Sequence, residues 1–258
     1  MNLRGTTIDF DERGTGPTLI HAHGLFGSRA AEDKMPLWGW DHFAEHMRVV
    51  RYDARGHGLS GGGKSSEEYV WSNLADDLLA LADQVAPDEA IIGGGASMGA
   101  ATMLWAAAKA PERFARLILV IPPTIWETRA AQAGFYRDRI AVVEQGGKAA
   151  FVAETNEAAQ PEIFQEVLGD APPVWEPDVS EELLPWVLRG AAESDLPDPD
   201  VISGLAHPTL ILAWDTDPGH PVSSAERLAE LMPNTELHIA RTFRDITQWH
   251  AHVAGFLA

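Results

Sequence analysis

The pentapeptide Gly95-Ala96-Ser97-Met98-Gly99 constrains this chain more than any other segment. It follows the β-type run Ala90-Ile91-Ile92-Gly93-Gly94 and precedes a small-residue helical stretch from residue 100 to about 109. Glycines two positions either side of a serine, set between a strand and a helix, mark a sharp strand-to-helix turn. Only small neighbours let strand and helix approach there, and the serine is forced into a strained backbone conformation. A serine hydroxyl must be exposed, aimed and relieved of its proton before it attacks, and this turn meets the first two conditions. Ser97 is therefore the expected nucleophile.

Short apolar runs alternate with helical patterns along the chain, which predicts an α/β fold with a mostly parallel sheet and helices on both faces. Strands are expected at Thr18-Leu19-Ile20, Arg48-Val49-Val50-Arg51-Tyr52-Asp53, the run before Ser97, Leu117-Ile118-Leu119-Val120-Ile121, Thr209-Leu210-Ile211-Leu212-Ala213-Trp214 and Glu236-Leu237-His238-Ile239-Ala240. A helix is expected to open at Ser65-Ser66-Glu67-Glu68 with a capping box and to carry Leu74, Leu78, Leu81 and Val85 at helical spacing. A second capping box is expected at Ser223-Ser224-Ala225-Glu226. The last helix is expected to start near Asp245, with Ile246, Trp249, Val253 and Phe256 on one face. Residues 124–205 break the alternation, with prolines, helical patterns and no convincing strand. They predict a helical cap (124–205) over a core of residues 1–123 and 206–258, seated at the active-site end of the sheet.

Composition narrows the function. The 258 residues carry a formal net charge of −19, which argues against nucleic acid and against anionic lipid as partners. No cysteine is present, so disulfides, thiolate metal sites and cysteine nucleophiles are excluded. No metal-ligand cluster or phosphate-binding glycine loop stands out, and neither a metal nor a cofactor is expected. The first ten residues lack the apolar run of a secretory signal, and no segment approaches the ~20 apolar residues of a membrane helix. The expected setting is the cytoplasm and the expected partner a small-molecule substrate. The sequence does not specify an oligomeric state.

Two further motifs complete a pattern. His23-Gly24-Leu25-Phe26-Gly27-Ser28, Tyr52-Asp53-Ala54-Arg55-Gly56-His57-Gly58-Leu59-Ser60 and the Ser97 turn resemble the three landmark motifs of the α/β-hydrolase superfamily, in its order and at its usual spacings. The resemblance spans the whole chain and is closest to the serine esterase and haloperoxidase-like branch. It implies an α/β-hydrolase fold, with residues 124–205 as the family's cap. Acyl transfer builds negative charge on the carbonyl oxygen, so two preorganised donors are needed. The amides of Met98, directly after the nucleophile, and of Leu25, after the Gly24 turn, are the expected oxyanion hole. His23 is expected to brace its loop, and His57 belongs to a motif that is structural in the family.

In the family the acid follows the next-to-last strand, typically as D-x-x-x-P. Within Trp214-Asp215-Thr216-Asp217-Pro218-Gly219-His220-Pro221, Asp217 matches that pattern better than Asp215. The family's base is a histidine shortly after the last strand, yet this chain reads Ala240-Arg241-Thr242-Phe243-Arg244-Asp245-Ile246 there, without one. His238 lies inside the last strand. His250 is expected in the core on the apolar face of the last helix, and His252 on its flank. His220, in the acid loop, is the candidate for a relocated base, against a substrate-contact or structural role. A direct hydrogen bond to Asp217 across three residues is expected to be awkward, leaving Asp215 or a backbone carbonyl to orient the ring. The leading expectation is a serine hydrolase of a small carboxylic ester, lactone or thioester, with perhydrolysis as a side reaction. The aromatic residues of the cap (Trp126, Phe135, Tyr136, Phe151, Phe164, Trp175, Trp186) either favour an apolar substrate group or pack the cap on the core. The alternative is a catalytically weakened member that binds a small apolar ligand, supported by the missing histidine.

Overall fold

The structure, a computed structural model, describes residues 1–34, 39–168 and 174–258. Seven strands form the central sheet: β1 (Phe10–Arg13), β2 (Thr18–Ala22), β3 (Arg48–Tyr52), β4 (Ile91–Ala96), β5 (Phe114–Val120), β6 (Thr209–Trp214) and β7 (Thr235–Ala240). Their order is β1-β3-β2-β4-β5-β6-β7, parallel throughout except for β1, which runs antiparallel to β3. β2, β4 and β6 are buried along their whole length, as parallel strands covered on both faces must be. No apolar run announces β1. It is a polar edge strand, and Asp11 and Glu12 pair with Arg51 and Arg48 of β3, so charge blunts the sheet edge.

Side chains alternate between two cores, following the two-residue period of a strand. Ile20, Val50, Leu117, Leu119 and Ile211 face one cluster, where helices α1 (Trp71–Val85), α2 (Met98–Lys109) and α5 (Val222–Leu231) contribute Leu74, Leu78, Leu104 and Leu228. Leu19, Val49, Ile118, Leu210 and Leu212 face the other, covered by Trp40, Phe43, Ile246 and helix α6 (Trp249–Leu257). Each such large apolar side chain removed from water contributes about 1.5–3 kcal/mol, so the two faces dominate the fold's stability.

Three helix starts differ from the sequence expectation. Ser66–Tyr69 forms one 3-10 turn and α1 begins only at Trp71. Glu68 does not cap, because its carboxylate accepts from the Arg55 guanidinium at 2.9 Å and the Gly63 amide at 3.1 Å. α5 starts after Pro221, which places Ser223 and Ser224 inside the first turn rather than at the cap. The terminal helix is split into Phe243–Ile246 and α6.

Between β5 and β6 the described residues form helices and turns, chiefly α3 (Arg129–Glu157, kinked at Gly147 with φ 70°) and α4 (Leu184–Glu193). Among the described residues there, the only β-type contact is an isolated bridge from Val179 to His57. Phe151, Leu184, Val187 and Leu188 pack with Tyr69 in a third cluster that also takes in Leu25 and Phe26. Arg129 joins α3 to α4. Its buried guanidinium donates to the carbonyls of Ala191 and Ser194 at the end of α4, lies over the Trp71 ring at 4.2 Å, and favours the carbonyl-rich helix terminus. No described helix is long and apolar enough to cross a membrane.

Candidate active site

Strand register brings the functional loops to one edge. Ala22 pairs with Gly95, Ala96 with Val120, and Val120 with Leu212. The segments following β2, β4, β5 and β6 therefore emerge side by side at the carboxyl edge, where open α/β sheets bind ligands. Ser97 sits at the corner between β4 and α2 with φ 52° and ψ −112°. A Cβ at Gly95 would collide with the Gly99 carbonyl, and one at Gly99 with the Ala22 carbonyl, so both glycines are required by close approach. Three more non-glycine residues at this edge have positive φ: Phe26 at 66°, Ile121 at 42° and Thr216 at 68°. Left-handed backbone at bulky or β-branched residues is costly and clusters at functional sites.

The loop after β6 brings a carboxylate and an imidazole to Ser97. His220 Nε2 lies 2.7 Å from Ser97 Oγ, and His220 Nδ1 lies 2.8 Å from Asp217 Oδ2. With Nδ1–H donating to Asp217, Nε2 is free to accept the Ser97 hydroxyl proton. The direct Asp217 contact corrects the expectation that three residues of separation make it awkward and leave Asp215 or a backbone carbonyl to orient the ring. The His220 amide donates to the Asp217 carbonyl at 3.1 Å, and that turn folds the ring back over the carboxylate. Asp215 is turned elsewhere, accepting from the Thr216 amide at 2.7 Å and facing Arg241.

Burial alone would raise the Asp217 pKa. Hydrogen bonds from His220, Trp214 and the Gly219 amide, with the charge His220 carries when protonated, outweigh it and hold the carboxyl at about 2. Asp217 thus stays an anion wherever the protein is folded near neutrality, ready to stabilise an imidazolium.

The expected oxyanion donors flank the serine. Met98 opens α2, and the first amides of a helix have no partner within it. On the other side, a Cβ at Gly24 would stand 3.5 Å from Ser97 Cβ, so the loop carrying Leu25 passes against Ser97. The left-handed residue of this loop is Phe26 rather than Gly24. His23 braces it: Nδ1 bonds the Gly24 carbonyl at 2.8 Å and Nε2 accepts from the Ala54 amide at 2.9 Å. His57 donates from Nδ1 to the Arg55 carbonyl. Burial pushes its pKa down to about 3 and lowers that of His23 as well, so both rings are neutral braces.

The remaining candidate histidines lie apart from Ser97. His238 bonds Glu236 at 2.6 Å and stacks on His252, with ring centroids 3.8 Å apart. His250 is exposed, not a core residue, because α6 starts anew at Trp249 and turns Trp249 and Val253 inward instead. The ligand-binder alternative drew its support from an absent base, and a histidine at hydrogen-bond distance from Ser97 removes that support.

The family model described as the α/β hydrolase fold matches residues 17–250. The chain belongs to the α/β-hydrolase family. A relative, 2-(acetamidomethylene)succinate hydrolase of Mesorhizobium japonicum, is 31% identical over 133 residues, which are 52% of this chain and only 45% of that protein. A putative carbamate hydrolase of Agrobacterium fabrum is 29% identical over 238 residues, covering 86% of this chain and 83% of its own. Among solved structures, an α/β hydrolase from a Medee basin deep-sea metagenome superposes with a TM-score of 0.82 at 19% identity, over 99% of this chain and 95% of that one. The two relatives and the solved structure named here are described as hydrolases.

Sequence reasoning did not single out Trp214. The Trp214 indole donates to Asp217 Oδ2 at 3.0 Å, the oxygen that also faces His220. Its ring is stacked on Trp249 (5.7 Å, 6° between planes) and meets Phe164 edge-on at 4.8 Å. As the last residue of an apolar strand run, Trp214 reads as core, and only the fold reveals where its N–H points. The cap aromatics divide. Phe151 and Tyr136 pack in the third cluster and Phe164 packs on Trp214, whereas Trp175 is partly exposed and meets Phe26 at 5.8 Å.

Proposed function

We propose that the protein hydrolyses small carboxylic esters, lactones or thioesters through an acyl-enzyme on Ser97. One observation carries this reading: a single imidazole bonds the elbow serine at 2.7 Å and a half-buried carboxylate at 2.8 Å. That chain of contacts supplies the third condition for a serine nucleophile, a base to take its proton.

In the reaction, Ser97 Oγ attacks the substrate carbonyl as its proton passes to His220 Nε2. Asp217 steadies the imidazolium, and the amides of Met98 and Leu25 receive the oxyanion. Collapse of the tetrahedral adduct breaks the acyl–oxygen or acyl–sulfur bond, and His220 returns the proton to the departing alkoxide or thiolate. Water then gives a proton to His220 and its hydroxide oxygen to the acyl carbon. Collapse of the second adduct releases the carboxylic acid and restores the Ser97 hydroxyl. The helices between β5 and β6 act as the cap, and the partly exposed Trp175 beside Phe26 favours an apolar acyl or alcohol group. The carbamate and succinate-derived substrates named for the two relatives agree with acyl chemistry on small molecules.

A fluorophosphonate probe tests the reading. It is expected to add one label per chain at Ser97, seen by intact mass, and Ser97→Ala is expected to lose the label and at least about 10⁴-fold in 4-nitrophenyl butyrate turnover. Folded wild-type protein that takes no label, or a Ser97→Ala variant that keeps its turnover, would end the proposal.

A further inference from the structure

We propose that Asp178 is a positioning residue for the oxyanion hole, clamping the loop that carries the Leu25 amide to the helical segment between β5 and β6. The proposal rests on the acyl-enzyme reading above.

Three contacts converge on this residue. Ser28 Oγ donates to Asp178 Oδ2, the Asp178 amide donates to the Phe26 carbonyl at 2.8 Å, and the Asp178 carbonyl accepts from the Gly58 amide at 2.8 Å. The neighbouring Val179 bridges to His57. Asp178 is 150 residues from Ser28 in sequence, so nothing local brings them together. Ser28 is fully buried, and its hydroxyl oxygen also accepts from the Ala31 amide at 3.0 Å, capping the helical turn Arg29–Glu32. The carboxylate therefore fixes the far end of the oxyanion loop through Ser28, while the Asp178 amide fixes its middle through Phe26.

That middle is strained. Phe26 holds φ 66°, a conformation a phenylalanine leaves unless its surroundings dictate otherwise. The Gly27 amide closes the turn onto the Gly24 carbonyl at 3.0 Å, so the Gly24–Leu25 peptide, whose N–H is the donor, lies inside this turn. Releasing Phe26 into a relaxed conformation would re-aim the turn and with it the donor. An oxyanion donor is effective only when preset toward the developing charge, and small misplacements are expensive in rate. The clamp is thus expected to act on the transition state more than on substrate binding. It also links the seating of the cap to the competence of the hole, since Asp178 belongs to the segment between α3 and α4.

The test is steady-state hydrolysis of 4-nitrophenyl butyrate by the full chain, with inhibition by butylboronic acid as a tetrahedral mimic. Asp178→Ala is expected to lower kcat about 10- to 100-fold with KM within about 3-fold, and to weaken the boronate by a factor similar to the kcat loss. Asp178→Asn, which keeps an oxygen acceptor for Ser28, is expected to restore most of both. Ser28→Ala is expected to lose kcat in the same manner, and the double variant to be little worse than either single one. An Asp178→Ala protein that melts earlier yet keeps kcat and boronate affinity overturns the proposal. Should Asp178→Ala not fold, Ser28→Ala with unchanged kcat overturns it equally. Ser97→Ala separates the two claims: if it is inactive while Asp178→Ala is normal, only the clamp fails, and if it retains turnover, the acyl-enzyme reading fails and the clamp with it.

Discussion

The loops following the last two strands of the sheet invite comparison, because the family ordinarily divides the acid and the base between them. Here the loop after β6 holds both Asp217 and His220, linked to each other and to Ser97. The loop after β7 is instead closed into a helix cap. Thr242 Oγ1 accepts from the Asp245 amide, and Asp245 Oδ2 accepts from the Arg241 and Thr242 amides at 3.0 Å. Every short polar group there is used to start the next helix, and the following residues bring Ile246 and Trp249 into the core. The contrast teaches that the groups gathered at an elbow serine are set by where they converge and not by which loop supplies them. Once a single turn can present a carboxylate and an imidazole together, the other loop is released to stabilise the fold.

The sharpest break in this comparison is His220→Ala. It is expected to cut 4-nitrophenyl butyrate turnover by about 10³- to 10⁴-fold, whereas His250→Ala on the far helix leaves it within about 2-fold, both measured as kcat/KM. Equal effects of the two substitutions would return the base to the loop-and-helix region after β7.

Next in size is the pH dependence tied to Asp217. Its folded pKa of about 2 lies below the ordinary 3.8, so the folded state prefers the anion. The resulting stabilisation is about 2 kcal/mol, fully present above pH 4 and lost as the pH falls from about 4 through about 2. Asp217→Asn lacks it at every pH, so the gap in urea-unfolding free energy between the two proteins should narrow over that window. A gap that stays constant from pH 6 to pH 2 contradicts the assignment.

Trp214→Phe sharpens the picture of the acid loop itself. It keeps an aromatic ring against Trp249 and Phe164 but removes the N–H on Asp217, and a loss of about 5- to 10-fold in kcat is expected, the scale of one hydrogen bond. The smallest effect belongs to the loop after β7. Thr242→Ala removes a cap and is expected to lower the melting temperature by about 2–4 °C in a thermal scan without changing kcat. A clear loss of kcat would show that this loop still serves the chemistry.

Much of the architecture was legible because it is periodic. β2, β4, β5 and β6 announce themselves as apolar runs, and Leu74, Leu78 and Leu81 mark the buried face of α1. Ser97 was legible because close approach leaves only glycine at positions 95 and 99, a constraint visible in the letters themselves. His220 could be named as a candidate from its loop, but its hydrogen bond to Asp217 depends on how the 217–220 turn folds. Other features depend on contacts distant in sequence. Glu68 looks like a cap and is drawn away by Arg55, and β1 looks like a polar linker until Arg48 and Arg51 answer its acids. Trp214 and Asp178 carry no local signal, since the direction of an N–H and the far partner of a carboxylate exist only in three dimensions.

The positive-φ residues Phe26, Ser97, Ile121 and Thr216 concentrate conformational cost at one rim of the sheet. Each such residue holds about 1–3 kcal/mol that surrounding contacts must offset. On warming, that rim is expected to open ahead of the strands beneath it. The proposed hydrolysis is accordingly expected to stop at temperatures where circular dichroism still reports an intact protein, and to return on cooling because the sheet that re-seats the rim stays intact.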